Sequence, residues 1–145
     1  MYFCNIIKTN KKMVNDNPIE EARRYLDNAR EILSEKAGKN GTKYSDPKYV
    51  KMAGNTAWGG VLIALDAALH VSEKLKPNQR IDIKDFYYAS SKIDKGLAAD
   101  IAIAYDALHK YLGYDGILSY SIVQDALKHG EDVIKWCEKK IPKQG

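Results

Sequence analysis

The stretch PKYVKMAGNTAWGGVLIALDAALHVSEKL, residues 47–75, carries apolar side chains on more than one face of a helix. These side chains recur at a spacing of three or four residues and form two adjacent stripes. The first stripe consists of Val50, Ala53, Ala57, Val61, Ala64, Ala68, Val71 and Leu75, and the second of Trp58, Leu62, Leu65 and Leu69. A helix that is apolar over so much of its circumference has to be covered by other helices. The pattern therefore predicts a single central helix from Pro47 to Leu75.

Start and stop signals on both sides of this stretch predict four further helices. Capping residues and first-turn prolines mark the starts, and glycine-rich stretches mark the ends. The predicted starts are Asn17-Pro18, Asp46-Pro47 for the central helix, Asp82 for a short third helix, Asp94, and Ser119 or Ser121 for the last helix. No strand-like alternation competes with these signals. The sequence therefore predicts an all-α fold, an up-and-down four-helix bundle with one additional short helix.

The length of 145 residues fits one domain with a sizeable core. We expect this domain to span residues 17–141, between a flexible N-terminal extension, residues 1–16, and a C-terminal tail, residues 142–145. Met13, just before the first helix, also fits a natural start of the chain. The net charge of +4 lies in the two ends, because 17 basic and 17 acidic residues cancel between them. The body has no net field to attract phosphate, so no nucleic-acid partner is indicated.

The two cysteines and the hydropathy of the chain indicate its surroundings. Cys4 and Cys137 are far apart and belong to no CxxC pair, which is typical of a reduced cytoplasmic protein. Cys137 continues an apolar helical spacing and is predicted to be a buried structural thiol. Charged residues such as Lys51 and Asp66 interrupt the longest apolar helix, and no targeting signal precedes it. We therefore expect a cytoplasmic protein without a membrane partner.

The sequence offers no catalytic signature. There is no nucleophile motif at a strand-to-helix turn and no phosphate-binding loop. Gly54, Gly59 and Gly60 lie inside a helical pattern, so we interpret them as sites where a neighbouring helix approaches closely. We predict no catalytic residue and no cofactor, and expect binding rather than catalysis.

Each of the three histidines follows an aspartate at helical spacing. The pairs are Asp66 with His70, Asp106 with His109, and Asp125 with His129. Carboxylate and imidazole groups from several helices can hold a metal inside a bundle, so a metal-binding bundle is one alternative. The stronger bundle signature, two Glu-x-x-His motifs, is absent, so we predict ion pairs and no metal ligand. Asp66 and His70 are the candidates for a buried polar pair on the central helix.

Tyrosine is unusually frequent, with ten tyrosines against two phenylalanines. Tyrosine suits interfaces, because its ring packs while its hydroxyl stays in contact with water. The candidate binding residues, in the second half of the chain, are Tyr105, His109, Tyr111, Tyr114 and Asp115. We therefore predict a non-catalytic module that binds a protein partner, a second copy of itself or a ligand.

Three stretches resemble a small bacterial all-helical family that is described as a domain of unknown function. They are NPIEEA at 17–22, DPKYVKMAG at 46–54 and HKYLGYDG at 109–116, within a match over roughly residues 17–140. The helix order is also distantly similar to the nucleotide-binding (HEPN-like) domain shared by higher eukaryotes and prokaryotes, whose members include ribonucleases.

Those ribonucleases carry an arginine, then four to six residues, then a histidine on a late helix. No arginine of this chain precedes a histidine at that distance, so the resemblance implies a non-catalytic relative. The enzymatic alternative is a nucleotide- or RNA-acting bundle that uses His109 with Tyr111 or Asp106.

Overall fold

The computed structural model describes residues 17–141, and helices dominate them. The helices are α1 (Pro18–Glu35), α2 (Pro47–Leu69), α3 (Ile83–Ser91), α4 (Lys95–Ala104) and α5 (Tyr120–Lys140). Helix α4 continues as a π-helical segment, Tyr105–Leu112, and a 3₁₀ turn spans Ser72–Lys74. The predicted all-α class is confirmed, whereas the up-and-down order of four helices stays a prediction. The predicted extension with Cys4 and Met13, and the predicted tail, lie outside the described residues.

The helix starts follow the capping residues that the sequence contains. The side chain of Asn17 accepts hydrogen bonds from the backbone N–H groups of Ile19 and Glu20, at 3.0 and 3.2 Å. Asp46, Asp94 and Ser119 cap α2, α4 and α5 in the same way, and Asp82 forms a capping box with Asp85 at the start of α3. Because the first N–H groups of a helix have no partner within it, these side chains fix where each helix begins.

The central helix ends at Leu69, so the predicted helix to Leu75 is too long. His70 adopts a left-handed conformation, with φ of 57°, and its N–H donates to the carbonyl of Asp66 at 2.7 Å. The buried Asp66 carboxylate then accepts from the backbone N–H of Ser72 at 2.6 Å and from its hydroxyl at 2.5 Å. These bonds hold the chain in a turn. No helix in residues 17–141 has the length and apolar character to cross a membrane.

Helix α2 occupies the centre of the fold, as predicted. It packs against α1, α5 and the π-helical segment, and more lightly against α3. Two of its glycines permit these approaches: a Cβ added at Gly54 would lie 2.5 Å from the Cβ of Leu112, and one at Gly60 would lie 2.8 Å from the carbonyl oxygen of Ala22. The interpretation of close helix contact is therefore confirmed at Gly54 and Gly60.

A small antiparallel hairpin connects α1 to α2. Its strands, β1 (Lys39–Asn40) and β2 (Lys43–Tyr44), have two residues each. Strands this short show no alternating pattern in the sequence, so they could not be predicted. The N–H of Tyr44 donates to the carbonyl of Leu118 at 2.8 Å, and that of Tyr120 donates to the carbonyl of Thr42 at 2.9 Å. The hairpin thus ties the α1–α2 connection to the chain at the start of α5.

Cys137 lies in the core on α5 and is fully buried. Burial raises the pKa of its thiol to about 12, so the group stays protonated at neutral pH. The prediction of a buried structural thiol is confirmed.

Candidate functional site

A pocket of about 820 Å³ opens between α2, α3 and the π-helical segment. Helix α1 contributes Tyr25, α2 contributes residues from Asn55 to Leu62, and the chain entering α3 contributes Arg80 and Ile81. The start of α3 contributes Asp82, Ile83 and Phe86, and the π-helical segment contributes Tyr105 and His109. The volume lies in the range of pockets that enclose a drug-sized molecule.

Three rings form one side of this pocket, which we call the aromatic wall: Trp58, Tyr105 and His109. The ring centroids of Trp58 and Tyr105 are 5.3 Å apart, with the planes at 65°, an edge-to-face arrangement. Tyr105 and His109 stack at 5.2 Å and 28°. Trp58 is buried, Tyr105 is half-buried and His109 lies exposed at the rim. The wall therefore runs from the core to solvent and offers ring faces and edges along its length.

The π-helical segment places two of these rings. Its wider hydrogen bonding shows at its end, where the N–H of Gly113 donates to the carbonyl of Leu108 at 2.9 Å, five residues back. The side-chain amide of Asn55 donates to the carbonyl of Gly113 at 3.3 Å and fastens the segment to α2. Such segments are rare in proteins and frequent at functional sites.

The polar groups of the pocket lie at the start of α3 and on α2. Arg80 is exposed and forms no ion pair with any of residues 17–141. Asp82 is already engaged, because its carboxylate accepts from the backbone N–H of Lys84 at 3.1 Å. On α2, Asn55 and Thr56 add an amide and a hydroxyl. The pocket is thus mostly apolar, with a few polar groups at its edge.

His109 has a lowered pKa. Desolvation of the ring, one face of which is covered by Tyr105, lowers the pKa below 6.5, and the positive charge of Lys110 adds to this. The imidazole is therefore neutral at pH 7, when it stacks as an uncharged ring.

This shift predicts a loss of stability in mild acid. The unfolded chain binds a proton at His109 near pH 6.5, whereas the folded protein does so only at lower pH. The stability that neutral His109 gives to the folded protein is therefore present above pH 6.5. It is lost as pH falls through the pKa that His109 has in the folded protein. We expect urea unfolding to show that the free energy of unfolding falls more between about pH 7.5 and about pH 5.5 in the wild type than in His109→Gln. Equal losses in the two proteins would contradict the shift, since the two chains differ only at His109.

The structure separates the five predicted binding residues into two groups. Tyr105 and His109 line the pocket. Tyr111 and Tyr114, with exposed fractions of 48% and 80%, and the exposed Asp115 lie outside its lining. The five residues therefore do not all line this pocket, and their role in binding stays a prediction.

The prediction that Asp66 and His70 are both buried polar residues is wrong for His70. Asp66 is buried and bonded to Ser72, but the side chain of His70 is 60% exposed and its Nδ1 lies 3.2 Å from a carboxylate oxygen of Glu73. The histidine caps the end of α2 and points away from the core. Residues 17–141 contain no cluster of three or more His, Cys, Asp or Glu side chains suited to a metal ion.

Sequence reasoning missed Tyr25, Gly59 and Arg80, and it assigned Trp58 to the core only. These residues belong to α1, α2 and the chain before α3, so only tertiary packing brings them together. One signal was present in the sequence: a pair of glycines, Gly59 and Gly60, directly after the tryptophan of an otherwise apolar helix.

Comparison with known proteins identifies the family. The family model of a domain of unknown function (DUF5618) matches residues 17–139. The fold is similar to that of a protein of unknown function from Dyadobacter fermentans, with 35% sequence identity, a TM-score of 0.74, and coverage of 84% of this chain and 93% of that one. None of the curated proteins matches the chain. The distant similarity to the HEPN-like domain stays a prediction, because neither match bears on it. The chain belongs to the DUF5618 family.

Proposed function

We propose that this protein is a non-catalytic binding module whose pocket takes a small planar ligand. The aromatic wall carries the proposal, since it exposes stacked rings inside a pocket of about 820 Å³. Flat apolar ligands gain most from such a surface, because ring stacking adds to the free energy of burying apolar area.

Gly59 gives independent support. Among residues 17–141, a Cβ added there would meet only the ring of Tyr25, at 3.4 and 3.5 Å, which is ordinary van der Waals contact. Packing therefore does not require glycine at this position, although glycine inside a helix costs about 1 kcal/mol relative to alanine. Gly59 lines the pocket, so the missing side chain leaves space for a ligand.

The neutral dye N-phenyl-α-naphthylamine tests the proposal, with Trp58 as an internal reporter. The chain has two tryptophans, and Trp136 is absent from the pocket lining. We expect saturable dye fluorescence and quenching of tryptophan emission by energy transfer. The quenching should be stronger in Trp136→Phe, which keeps Trp58 in the pocket wall, than in Trp58→Phe, because energy transfer weakens steeply with distance. No saturable binding, or quenching lost only in Trp136→Phe, would contradict the proposal.

The exposed tyrosines favour a second candidate, contact with a protein partner or another copy of the chain. Tyr111 and Tyr114 present large rings to solvent just before and after the end of the π-helical segment. Such rings are frequent anchors in protein interfaces. Light scattering and affinity capture would distinguish self-association from binding of another protein.

A further inference from the structure

We propose that the ligand of the pocket is a planar aromatic acid, with its ring on the aromatic wall and its carboxylate on Arg80. This inference rests on the proposed function and adds the charge of the ligand to it. The pocket combines a stacked apolar surface with a guanidinium at its edge. A guanidinium forms paired, charge-assisted hydrogen bonds with a carboxylate, so it recognises an acid in preference to a neutral group of the same shape.

Arg80 differs from the other arginines of the chain. Arg23 lies 2.8 Å from Glu138, Arg24 lies 2.7 Å from Glu21, and Arg30 is within 4.0 Å of carboxylates of Asp27 and Glu131. Each of these three has an acidic partner. Arg80 has none among residues 17–141, and it is the one that lines the pocket. No side chain of the described residues therefore competes with a ligand for its donors as an ion-pair partner.

One acidic side chain shares the pocket with Arg80, and its position limits its influence. Asp82 caps α3: it accepts from the N–H of Lys84, and the side chain of Asp85 accepts from the N–H of Asp82. The partial positive charge at the helix start offsets part of its negative charge. No other Asp or Glu lines the pocket among the described residues. The remaining polar lining is neutral at pH 7, and this includes His109, because its pKa is lowered.

Calorimetric titration with two ligands of equal shape tests the inference. We expect β-naphthoate to bind about tenfold more tightly than the neutral β-naphthamide, as a charge-assisted hydrogen bond predicts. In Arg80→Gln this preference should disappear while the affinity for naphthamide changes little. Lys128→Gln removes the same charge from an exposed position on α5 outside the pocket and should retain the preference.

Asp82→Asn gives an opposite expectation. Asparagine caps helices as well as aspartate does, so the start of α3 is preserved while the negative charge is removed. We expect this variant to bind β-naphthoate about twofold to threefold more tightly and β-naphthamide unchanged.

The outcomes separate the two proposals. If both naphthalenes bind with equal affinity in the wild type, or if Arg80→Gln keeps the preference for naphthoate, the inference about charge is overturned and the pocket remains a binding site. If neither naphthalene nor the neutral dye binds, the proposed function itself fails. An equal loss of preference in Lys128→Gln would show a general charge effect and would also overturn the role of Arg80.

Discussion

Replacement of Gly59 by leucine is expected to weaken binding of N-phenyl-α-naphthylamine strongly while the protein stays folded. The new Cβ has room beside Tyr25, and the atoms beyond it extend into the space that Gly59 leaves open in the pocket. The ligand then loses its apolar contact area, so we expect an affinity loss of at least about thirtyfold, roughly 2 kcal/mol. Dye titration measures the affinity, and circular dichroism with urea unfolding verifies the fold.

Gly59→Ala is the graded control for this variant. Alanine adds only the Cβ, whose nearest neighbours within residues 17–141 would lie at 3.4 and 3.5 Å. We expect it to raise the free energy of unfolding by up to about 1 kcal/mol through helix propensity and to weaken dye binding much less than leucine does. Unchanged dye affinity in a folded Gly59→Leu protein would place the dye outside this pocket. A destabilised Gly59→Ala protein would show that Gly59 serves packing.

Replacement of Gly54 by alanine is expected to lower the free energy of unfolding by about 2 kcal/mol, because overpacking outweighs the gain in helix propensity. The added Cβ would lie 2.5 Å from the Cβ of Leu112, and 2.7 Å from both the backbone nitrogen of Gly113 and the carbonyl oxygen of Leu108. Two of these neighbours are backbone atoms at the end of the π-helical segment. They give way only if the segment shifts against α2.

Urea unfolding of Gly54→Ala beside Gly59→Ala is the matched measurement, since the same change is made five residues apart on one helix. We expect opposite signs, and we expect Gly54→Ala to weaken dye binding as well, because the displaced segment carries Tyr105 and His109. A Gly54→Ala protein as stable as the wild type would contradict the close contact between α2 and the segment.

The sequence predicts the helices well because their starts depend on local chemistry. Asn17, Asp46 and Asp82 cap the helices that their positions predict, and the two apolar stripes place α2 at the centre. The end of α2 was predicted too late, since Val71 and Leu75 continue the apolar spacing. Val71 is buried and Leu75 is half-buried, but both lie beyond the turn held by Asp66. Residues that pack against the core keep an apolar spacing even where the backbone is no longer helical, so the spacing does not show where the helix ends.

The site was predicted only where one segment contributes to it. Tyr105 and His109 are four residues apart on the same segment, and their aromatic and titratable character marked them. Arg80 precedes them by more than twenty residues, and Tyr25 lies on the first helix. No periodicity relates these positions, because the packing of α1 and α3 around α2 sets the distances between them.

The light attachment of α3 has a thermodynamic consequence for the pocket. Helix α3 packs chiefly against α4 and only lightly against α2, and the chain leading into it is largely exposed. Local opening of this side therefore requires less free energy than global unfolding. A ligand that bridges α2 and α3 adds its binding free energy to the free energy that this local opening requires. Affinity for the ligand and protection of α3 from hydrogen exchange are thus two measures of one equilibrium.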